Sequence, residues 1–386
     1  MEPVLLTAAV VLLIVHLASV ALCLRRLDRP QKACGILGQP RITLLRPVCG
    51  LDPQDAETLE SSFLQDYPDY EIVFCAPTEN DPAVALLRQL IARYPQVTAR
   101  ILTGQVTRTG NPKLDNLWKG WQAADAGWIC MADSNLLLPP DYLAQVAAAW
   151  DEDTGLVSSP AWGAAPCGLA ARLEAAFLNG NQGRLQLAAD SLGQGFAQGK
   201  TLFWNRALLD RAGGLAALGD RLAEDVAATH LVRGMGLSVR LTPHPFAQPL
   251  GRRGLVQVWA RQLRWSRVRR DGFPLLFLTE PLNGSAAPVV LLALAGAGPV
   301  SLTALALVWY AAEWRLMQRA GWPASWRDAL VLPLRDLLLP GIWLATFLRR
   351  GITWRGTDLA VPEAGPQPEP SASSGAIPAA ISGAAQ

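Results

Sequence analysis

Trp128-Ile129-Cys130-Met131-Ala132 is an uninterrupted apolar run that ends on Asp133-Ser134-Asn135. Five such residues suit a strand buried on both faces, and the carboxylate follows where the strand stops. Similar short runs lie at residues 42–48, 71–76, 99–102, 155–158, 201–204 and 238–241. Helical patterns separate them at 83–94, 114–124, 142–150 and 169–187. Strand and helix in turn predict an α/β fold with a mostly parallel sheet. Ligands of such sheets bind beyond the carboxyl ends of the strands, so the residues just after each strand are where chemistry is to be sought.

Outward from this block the chain turns membrane-like. Residues 4–24 form a nearly uncharged apolar stretch, long enough to cross the roughly 30 Å hydrocarbon layer. Arg25, Arg26, Arg29 and Lys32 follow at once, which places the next domain on the cytoplasmic side. A cleaved signal peptide is the alternative, but Met1-Glu2-Pro3 supplies no basic residue, which favours an anchor. On the other flank, residues 252–270 hold seven arginines and no acid, with Leu255, Val258, Trp259 and Gln262 at helical spacing. That pattern reads as a basic amphipathic helix on a membrane surface.

Residues 285–312 are expected to make one tilted span. A second apolar stretch, 329–348, contains Arg335 and Asp336, a costly pair at membrane depth. It is expected to be re-entrant or packed against protein. Eight of the 14 tryptophans follow residue 250, as an interfacial belt requires. The tail from 361 is Pro, Ala, Ser and Gly without apolar periodicity and is expected to be disordered. The expected organisation is an anchor (1–26), a cytoplasmic α/β domain (40–250), interfacial helices (251–283), a transmembrane or re-entrant region (284–350) and a tail (361–386).

Composition narrows the class. Of 386 residues 51% are apolar and 17% charged, against about 25% charged in soluble proteins. This excludes a disordered chain and argues against a fully soluble one. Thirty-four cations against 32 anions leave a net charge of +2, too little for a general polyanion binder. Membrane stretches on both flanks also argue against nucleic acid as the target of the arginine-rich helix. Only Lys32, Lys113, Lys119 and Lys200 are lysines, and with the heavy Ala and Gly use this suggests a GC-rich bacterial genome. Six cysteines without a CxxC pair and three dispersed histidines exclude a disulfide scaffold and a zinc centre, and suit a reducing cytoplasm.

Three places carry residues that could do chemistry. Asp133, with Asn135, offers hard oxygens at a strand end, suited to Mg2+ or Mn2+. The structural alternative is a cap for the helix after Pro139-Pro140. Glu224-Asp225 opens a helical stretch, either as first-turn acids that complement the helix dipole or as the seat of a general base. In Gly110-Asn111-Pro112-Lys113 the lysine either meets a phosphate as a point charge or is a solvated turn residue.

Arg261-Gln262-Leu263-Arg264-Trp265 fits the (Q/R)xxRW signature of family-two-like glycosyltransferases. It occurs with Asp133 in a D-x-N variant of the DxD motif and with Glu224-Asp225 as a third acidic site. Arg46-Pro47-Val48-Cys49-Gly50-Leu51-Asp52, Gln65-Asp66-Tyr67-Pro68, Asn80-Asp81-Pro82-Ala83, Gly110 to Leu117 and Pro140-Asp141-Tyr142-Leu143 complete the set. The chain thereby resembles the ceramide glucosyltransferase family from residue 4 to about 360, and within it the bacterial hopanoid-biosynthesis branch most.

The resemblance implies a GT-A fold and an inverting transfer from a UDP-sugar to a lipid hydroxyl. The pair implied is N-acetylglucosamine and a hopanoid polyol (bacteriohopanetetrol), with UDP-glucose and ceramide as the alternative. It implies Mg2+ or Mn2+ at Asp133 and Asn135, Asp225 as general base, and Arg264 and Trp265 at the diphosphate or acceptor side. Pro47, Glu79, Asp81, Lys113, Asp133, Arg261 and Arg264 fall on the donor side. Where some ceramide glucosyltransferases carry an early Asp in V-D-A-R, this chain has Val97-Thr98-Ala99-Arg100, which shifts that role to Asp81 or Asp115. The implied partners are the UDP-sugar, the lipid acceptor and the bilayer, with no nucleic acid. The implied location is the bacterial inner membrane, multi-pass, with the catalytic domain in the cytoplasm. A processive polysaccharide synthase shares the signature but needs more spans than these apolar stretches supply. An inactive scaffold on the same fold is at odds with the joint presence of Asp133, Asp225 and Arg264.

Overall fold

Seven of the apolar runs pair into one sheet in the order β3-β2-β1-β4-β7-β5-β8. They are β1 (Ile42–Pro47), β2 (Tyr70–Cys75), β3 (Ala99–Leu102), β4 (Trp128–Ala132), β5 (Thr154–Ser158), β7 (Thr201–Asn205) and β8 (Ser238–Leu241). The computed structural model describes residues 1–28, 35, 36, 38–219, 221–348, 352–354 and 357–359. Strand β7 alone runs antiparallel to its neighbours β4 and β5; every other pair in this sheet is parallel. Leu44, Ile72 and Phe74 build the core on one face and Leu45, Val73 and Met131 the core on the other. Both faces are covered, which explains the continuous apolar runs in place of alternation.

The antiparallel insertion places the functional residues. Its register sets Ala132 opposite Thr201, so the chain leaving β4 and the chain entering β7 meet at one end of the sheet. There the Asp133 N–H donates to the Lys200 carbonyl at 3.1 Å.

Sequence reasoning did not find two strands, β6 (Ala161–Cys167) and β9 (Phe246–Arg252), which pair in parallel beside the main sheet. Ala, Gly and Pro dominate β6, and both strands carry a proline, so neither shows strand propensity. A two-stranded sheet consists only of edges, where proline is tolerated.

The helix expected over 169–187 is broken in its middle. Leu169–Ala176 and Arg184–Ser191 are α-helical, and Phe177–Gly183 between them is a π-turn. Asn179 Oδ1 there accepts the Gly163 N–H at 2.7 Å. A side chain at Gly180 would sit 2.5 Å from an Arg335 nitrogen and would displace the guanidinium from its place. A π-turn of this kind relocates side chains within a helix.

The apolar flanks form helices. Glu2–Leu27 and Trp326–Thr346 are long and apolar enough to cross a membrane. The stretch 285–312 is not one span. It is two helices, Ala286–Leu294 and Pro299–Arg319, parted by a turn in which Gly296 has φ +79°. Gly296 ends the first helix in the left-handed region and Pro299 opens the second at its preferred first turn.

Arg335 and Asp336 are packed against protein. Arg335 lies 3.0 Å from Glu313 and 2.6 Å from Asp336, all three buried. Asp336 Oδ2 also accepts from Ser285 N at 2.9 Å and from the Tyr310 hydroxyl at 3.1 Å. The arginine-rich segment is the helix Leu255–Gly272, with Leu255, Val256 and Trp259 exposed, followed by exposed Leu275, Leu276 and Leu278. Arg29, Lys32 and the tail 361–386 lie outside the described residues.

Candidate active site

Asp133 leaves β4 into a loop held by a buried guanidinium. Arg46 Nη2 donates to the carbonyls of Asp133 (3.0 Å), Ser134 (2.9 Å) and Leu136 (3.1 Å), and the Thr58 hydroxyl donates to Ser134 O at 2.6 Å. Asp133 does not cap the helix Tyr142–Ala148, whose N-cap is Asp141. That removes the structural alternative for this carboxylate. Its side chain is 24% exposed, enough to meet a ligand.

Two lysines grip it. Lys113 Nζ lies 2.6 Å from Asp133 Oδ1 and Lys200 Nζ 3.0 Å from Oδ2. Lys113 is presented by the Gly110-Asn111-Pro112 turn. Gly110 has φ +70°, Asn111 caps the helix Pro112–Ala123 through the Lys113 and Leu114 N–H groups, and Pro112 opens it. A cation in the first turn opposes the helix dipole, and here Asp133 and Glu224 compensate. Lys113 is therefore not a solvated turn residue. Burial disfavours its charge, but the two carboxylates outweigh burial and hold it above its ordinary range. Burial likewise works against the Asp133 charge, and the two ammonium groups outweigh it, holding the carboxyl well below the usual range.

Glu224 and Asp225 open the helix Glu224–Gly234 and point at the same place. Glu224 Oε1 accepts from Lys113 at 2.6 Å. Asp225 Oδ2 accepts the Gly199 N–H at 2.8 Å, and Oδ1 accepts the Val226 N–H at 2.8 Å. Lys113 closes the circuit by donating to the Gly199 carbonyl at 2.7 Å. Any side chain at Gly199 would stand 2.6 Å from Glu224 Oε1, so glycine is the residue that lets this loop approach. Burial, and then the Glu224 charge, push the Asp225 carboxyl up to about 6. Asp133 and Asp225 thus belong to one cluster, bridged through Lys113 and Gly199.

Asn135 enters the same cluster, its Oδ1 accepting from Lys200 Nζ at 2.8 Å. The Lys200 ammonium therefore sits between Asp133 and Asn135, which defines a cation position lined by two hard oxygens. No group of three His, Cys, Asp or Glu side chains placed to hold a metal ion by themselves occurs among the described residues. A divalent cation placed here would find these two oxygens, with the remaining ligands left to a diphosphate or water, as is usual for Mg2+.

The signature helix flanks this cluster. Arg261 pairs with Glu174, a 1% exposed carboxylate that also lies 3.6 Å from Arg253. Arg261 in turn acts as a like charge on Lys200, adding to the effect of burial, which lowers the lysine most. Trp265 packs on Ala171, Ala175, Leu178 and Leu250, and Arg264 is half-buried on the same helix.

The remaining expected donor residues make other contacts. Glu79 is an exposed partner of Arg88. Asp81 caps the helix Pro82–Arg93 through Ala83 N (2.9 Å) and accepts Gly50 N at 2.9 Å, tying the loop after β1 to the loop after β2. Asp115 accepts Arg108 N (3.0 Å) and Thr109 N (2.8 Å), so it shapes its own loop. Pro47 closes β1, next to the Val48 carbonyl that, with that of Cys75, receives the Asn116 amide. Sequence reasoning missed Lys200, Arg46, Gly199 and Glu174. Lysine scarcity singled out Lys113 but should equally have singled out Lys200, one residue before an expected strand.

The family model of glycosyl transferase family 21 matches residues 4–366. Ceramide glucosyltransferase 3 of Caenorhabditis elegans is 25% identical over 356 residues, covering 89% of this chain and 77% of that protein. The ceramide glucosyltransferase of Komagataella phaffii is 42% identical over 99 residues, which are 25% of this chain and 19% of that one. Among solved structures, the mannosyltransferase PcManGT of Pyrobaculum calidifontis, in complex with GDP-Man and Mn2+, superposes with a TM-score of 0.52 at 20% identity. The match covers 86% of this chain and 99% of that one, so the two share a GT-A-like fold.

Proposed function

The chain belongs to glycosyl transferase family 21, and from that premise we propose that it transfers a sugar from a UDP-sugar to a membrane-lipid hydroxyl with inversion. The observation that carries this reading is the single side-chain cluster in which Asp225 and Asp133 are joined through Gly199 and Lys113. In one displacement the acceptor oxygen bonds to the anomeric carbon, the bond to the diphosphate breaks, and the hydroxyl proton passes to Asp225. One displacement inverts the centre. A carboxylate raised to about 6 is a stronger base than an ordinary one and is still ionised at neutral pH. Positioned bases of this kind contribute roughly 10²–10⁴-fold.

Lys113 and Lys200 hold Asp133 ionised and bring positive charge to the side where the diphosphate departs. A divalent cation bound by Asp133 and Asn135 would supply further charge for that leaving group. Mn2+ in the mannosyltransferase that shares the fold supports this assignment. The apolar helices Glu2–Leu27 and Trp326–Thr346, with the exposed leucines 275, 276 and 278, support a site at a membrane surface, and the arginines at the end of the first helix favour the cytoplasmic side of a bacterial inner membrane. There an insoluble acceptor reaches the base without leaving the lipid.

The hopanoid polyol with an N-acetylglucosamine donor follows from the sequence resemblance. Ceramide with UDP-glucose is favoured by the relatives, which are named for it. Mass spectrometry of membrane lipids from cells with and without the chain tests both. A hexosamine-bearing hopanoid supports the first and a hexosylceramide the second. Identical lipid profiles, together with no UDP release by pure protein, would overturn the proposal.

A further inference from the structure

We propose that Lys200 is a placeholder cation: its ammonium fills the position between Asp133 and Asn135 until a nucleoside diphosphate brings a divalent cation there, and it then moves onto the diphosphate. The inference rests on the reading of Asp133 as a donor-side residue and deepens it.

The two lysines are not equivalent. An ammonium has three N–H donors. Lys113 places them on Asp133 (2.6 Å), Glu224 (2.6 Å) and the Gly199 carbonyl (2.7 Å), so it is fully committed. Lys200 reaches Asp133 Oδ2 at 3.0 Å and Asn135 Oδ1 at 2.8 Å, and the charges of Arg261 and Lys113 repel it. Its backbone is fixed, since the Lys200 carbonyl accepts the Asp133 N–H at 3.1 Å. Its side chain is 12% exposed, much like the 14% of Lys113, so the number of partners and not exposure sets the two lysines apart. Lys200 is the cation that can leave without breaking the Lys113 bridge.

A divalent ion alone competes with an ammonium already in place and meets the repulsion of Lys113 and Arg261. A diphosphate reverses that balance by adding several negative charges and a new partner for Lys200. Cation and nucleotide then enhance each other's binding by the same factor, because coupling between sites is reciprocal. The ammonium also keeps Asp133 and Asn135 oriented in the free protein, so that little reorganisation remains when the pair arrives.

The test is a Mn2+ titration of the full chain in detergent micelles, read by electron paramagnetic resonance, with and without UDP. The wild-type chain is expected to bind Mn2+ at least about tenfold more tightly with UDP present, within the usual range of coupling. Lys200→Met is expected to bind Mn2+ about tenfold more tightly than wild type without UDP, and to lose most of the UDP enhancement. Lys200→Arg, which keeps the charge, is expected to stay near wild type and serves if the methionine variant misfolds. Unchanged Mn2+ affinity in Lys200→Met without UDP would overturn the proposal. So would equal wild-type affinity with and without UDP, or an absence of Mn2+ binding under both conditions. The readout is metal binding and not turnover, so a chain that exchanges cations but makes no glycolipid refutes the acceptor reading and leaves this one standing.

Discussion

Lys113 Nζ lies 2.6 Å from Asp133 Oδ1, and the same ammonium lies 2.6 Å from Glu224 on its other side. One cation therefore joins the acid proposed for the donor side to the acid next to the proposed base. Removing it leaves Glu224 without its ammonium partner and Asp133 held by Lys200 alone, and it also removes a charge that lowers the Asp225 pKa. Lys113→Met is expected to lose about 10²-fold in kcat/KM and to move the acidic limb of its pH profile to higher pH. A pH–rate series on the purified variant checks both; an unmoved limb would show that Lys113 does not communicate with Asp225.

Asp225 itself sets that limb. Its carboxyl is pushed up to about 6, first by burial and then by Glu224. A base must be ionised, so activity is expected to fall as pH drops through 6, not through the range near 4 of an ordinary carboxylate. Glu224→Gln removes the like charge and is expected to shift the limb to lower pH, opposite in sign to Lys113→Met. Asp225→Asn is expected to lower kcat by about 10²–10⁴-fold with UDP affinity within twofold of wild type. Turnover that survives in Asp225→Asn would exclude it as the base.

Much of this site was legible because its residues announce their places locally. The run 128–132 marks a buried strand, and Asp133 stands at its end by position alone. Lys113 follows a glycine, a capping Asn and a helix-opening Pro, each with a known local role. What stayed hidden depends on pairing that no local pattern encodes. Lys200 meets Asp133 only because β7 runs antiparallel to β4 with Ala132 opposite Thr201. Arg46 reads as a cation in an apolar strand, and its use becomes visible only when three carbonyls of a distant loop close on it. Glu79 shows the complementary case: it pairs with Arg88 of the next helix at the surface, a contact that its place after β2 does not announce. The break after residue 294 could have been read from Gly296-Ala297-Gly298-Pro299, a sequence that stops one helix and starts another.

Arg46 gives a prediction about how the loop is held. It is 0% exposed and donates to three carbonyls between Asp133 and Leu136. A hydrogen bond to a charged group contributes about 1.5–3 kcal/mol, and buried carbonyls left without donors cost further. Arg46→Met is expected to destabilise the chain by roughly 3 kcal/mol or more and to weaken UDP binding, because the Asp133 loop loses its brace. Thermal unfolding followed by intrinsic fluorescence, with and without UDP, separates the two effects. Wild-type UDP affinity in a folded Arg46→Met would show that the loop keeps its shape without the guanidinium.

The last prediction concerns the charges among the apolar helices. Arg335 is flanked by Glu313 at 3.0 Å and Asp336 at 2.6 Å, and each of the three is at most 1% exposed. Arg335 therefore neutralises two acids from different helices, Pro299–Arg319 and Trp326–Thr346. Removing one member of a buried ion pair costs about 3–5 kcal/mol, because the partner is left charged or must take a proton. Arg335→Met strands two acids at once, whereas Glu313→Gln strands none, since Asp336 still faces the arginine. The expected order of loss in folded, membrane-extracted protein is therefore Arg335→Met well beyond Glu313→Gln. The double variant Arg335→Met/Glu313→Leu should recover part of the loss, because only Asp336 is then unpaired, and it keeps its bonds from Ser285 and Tyr310. Size-exclusion yield and melting temperature in one detergent rank the three. If Glu313→Gln proved as damaging as Arg335→Met, the cluster would be held by geometry at Glu313 and not by charge balance around Arg335.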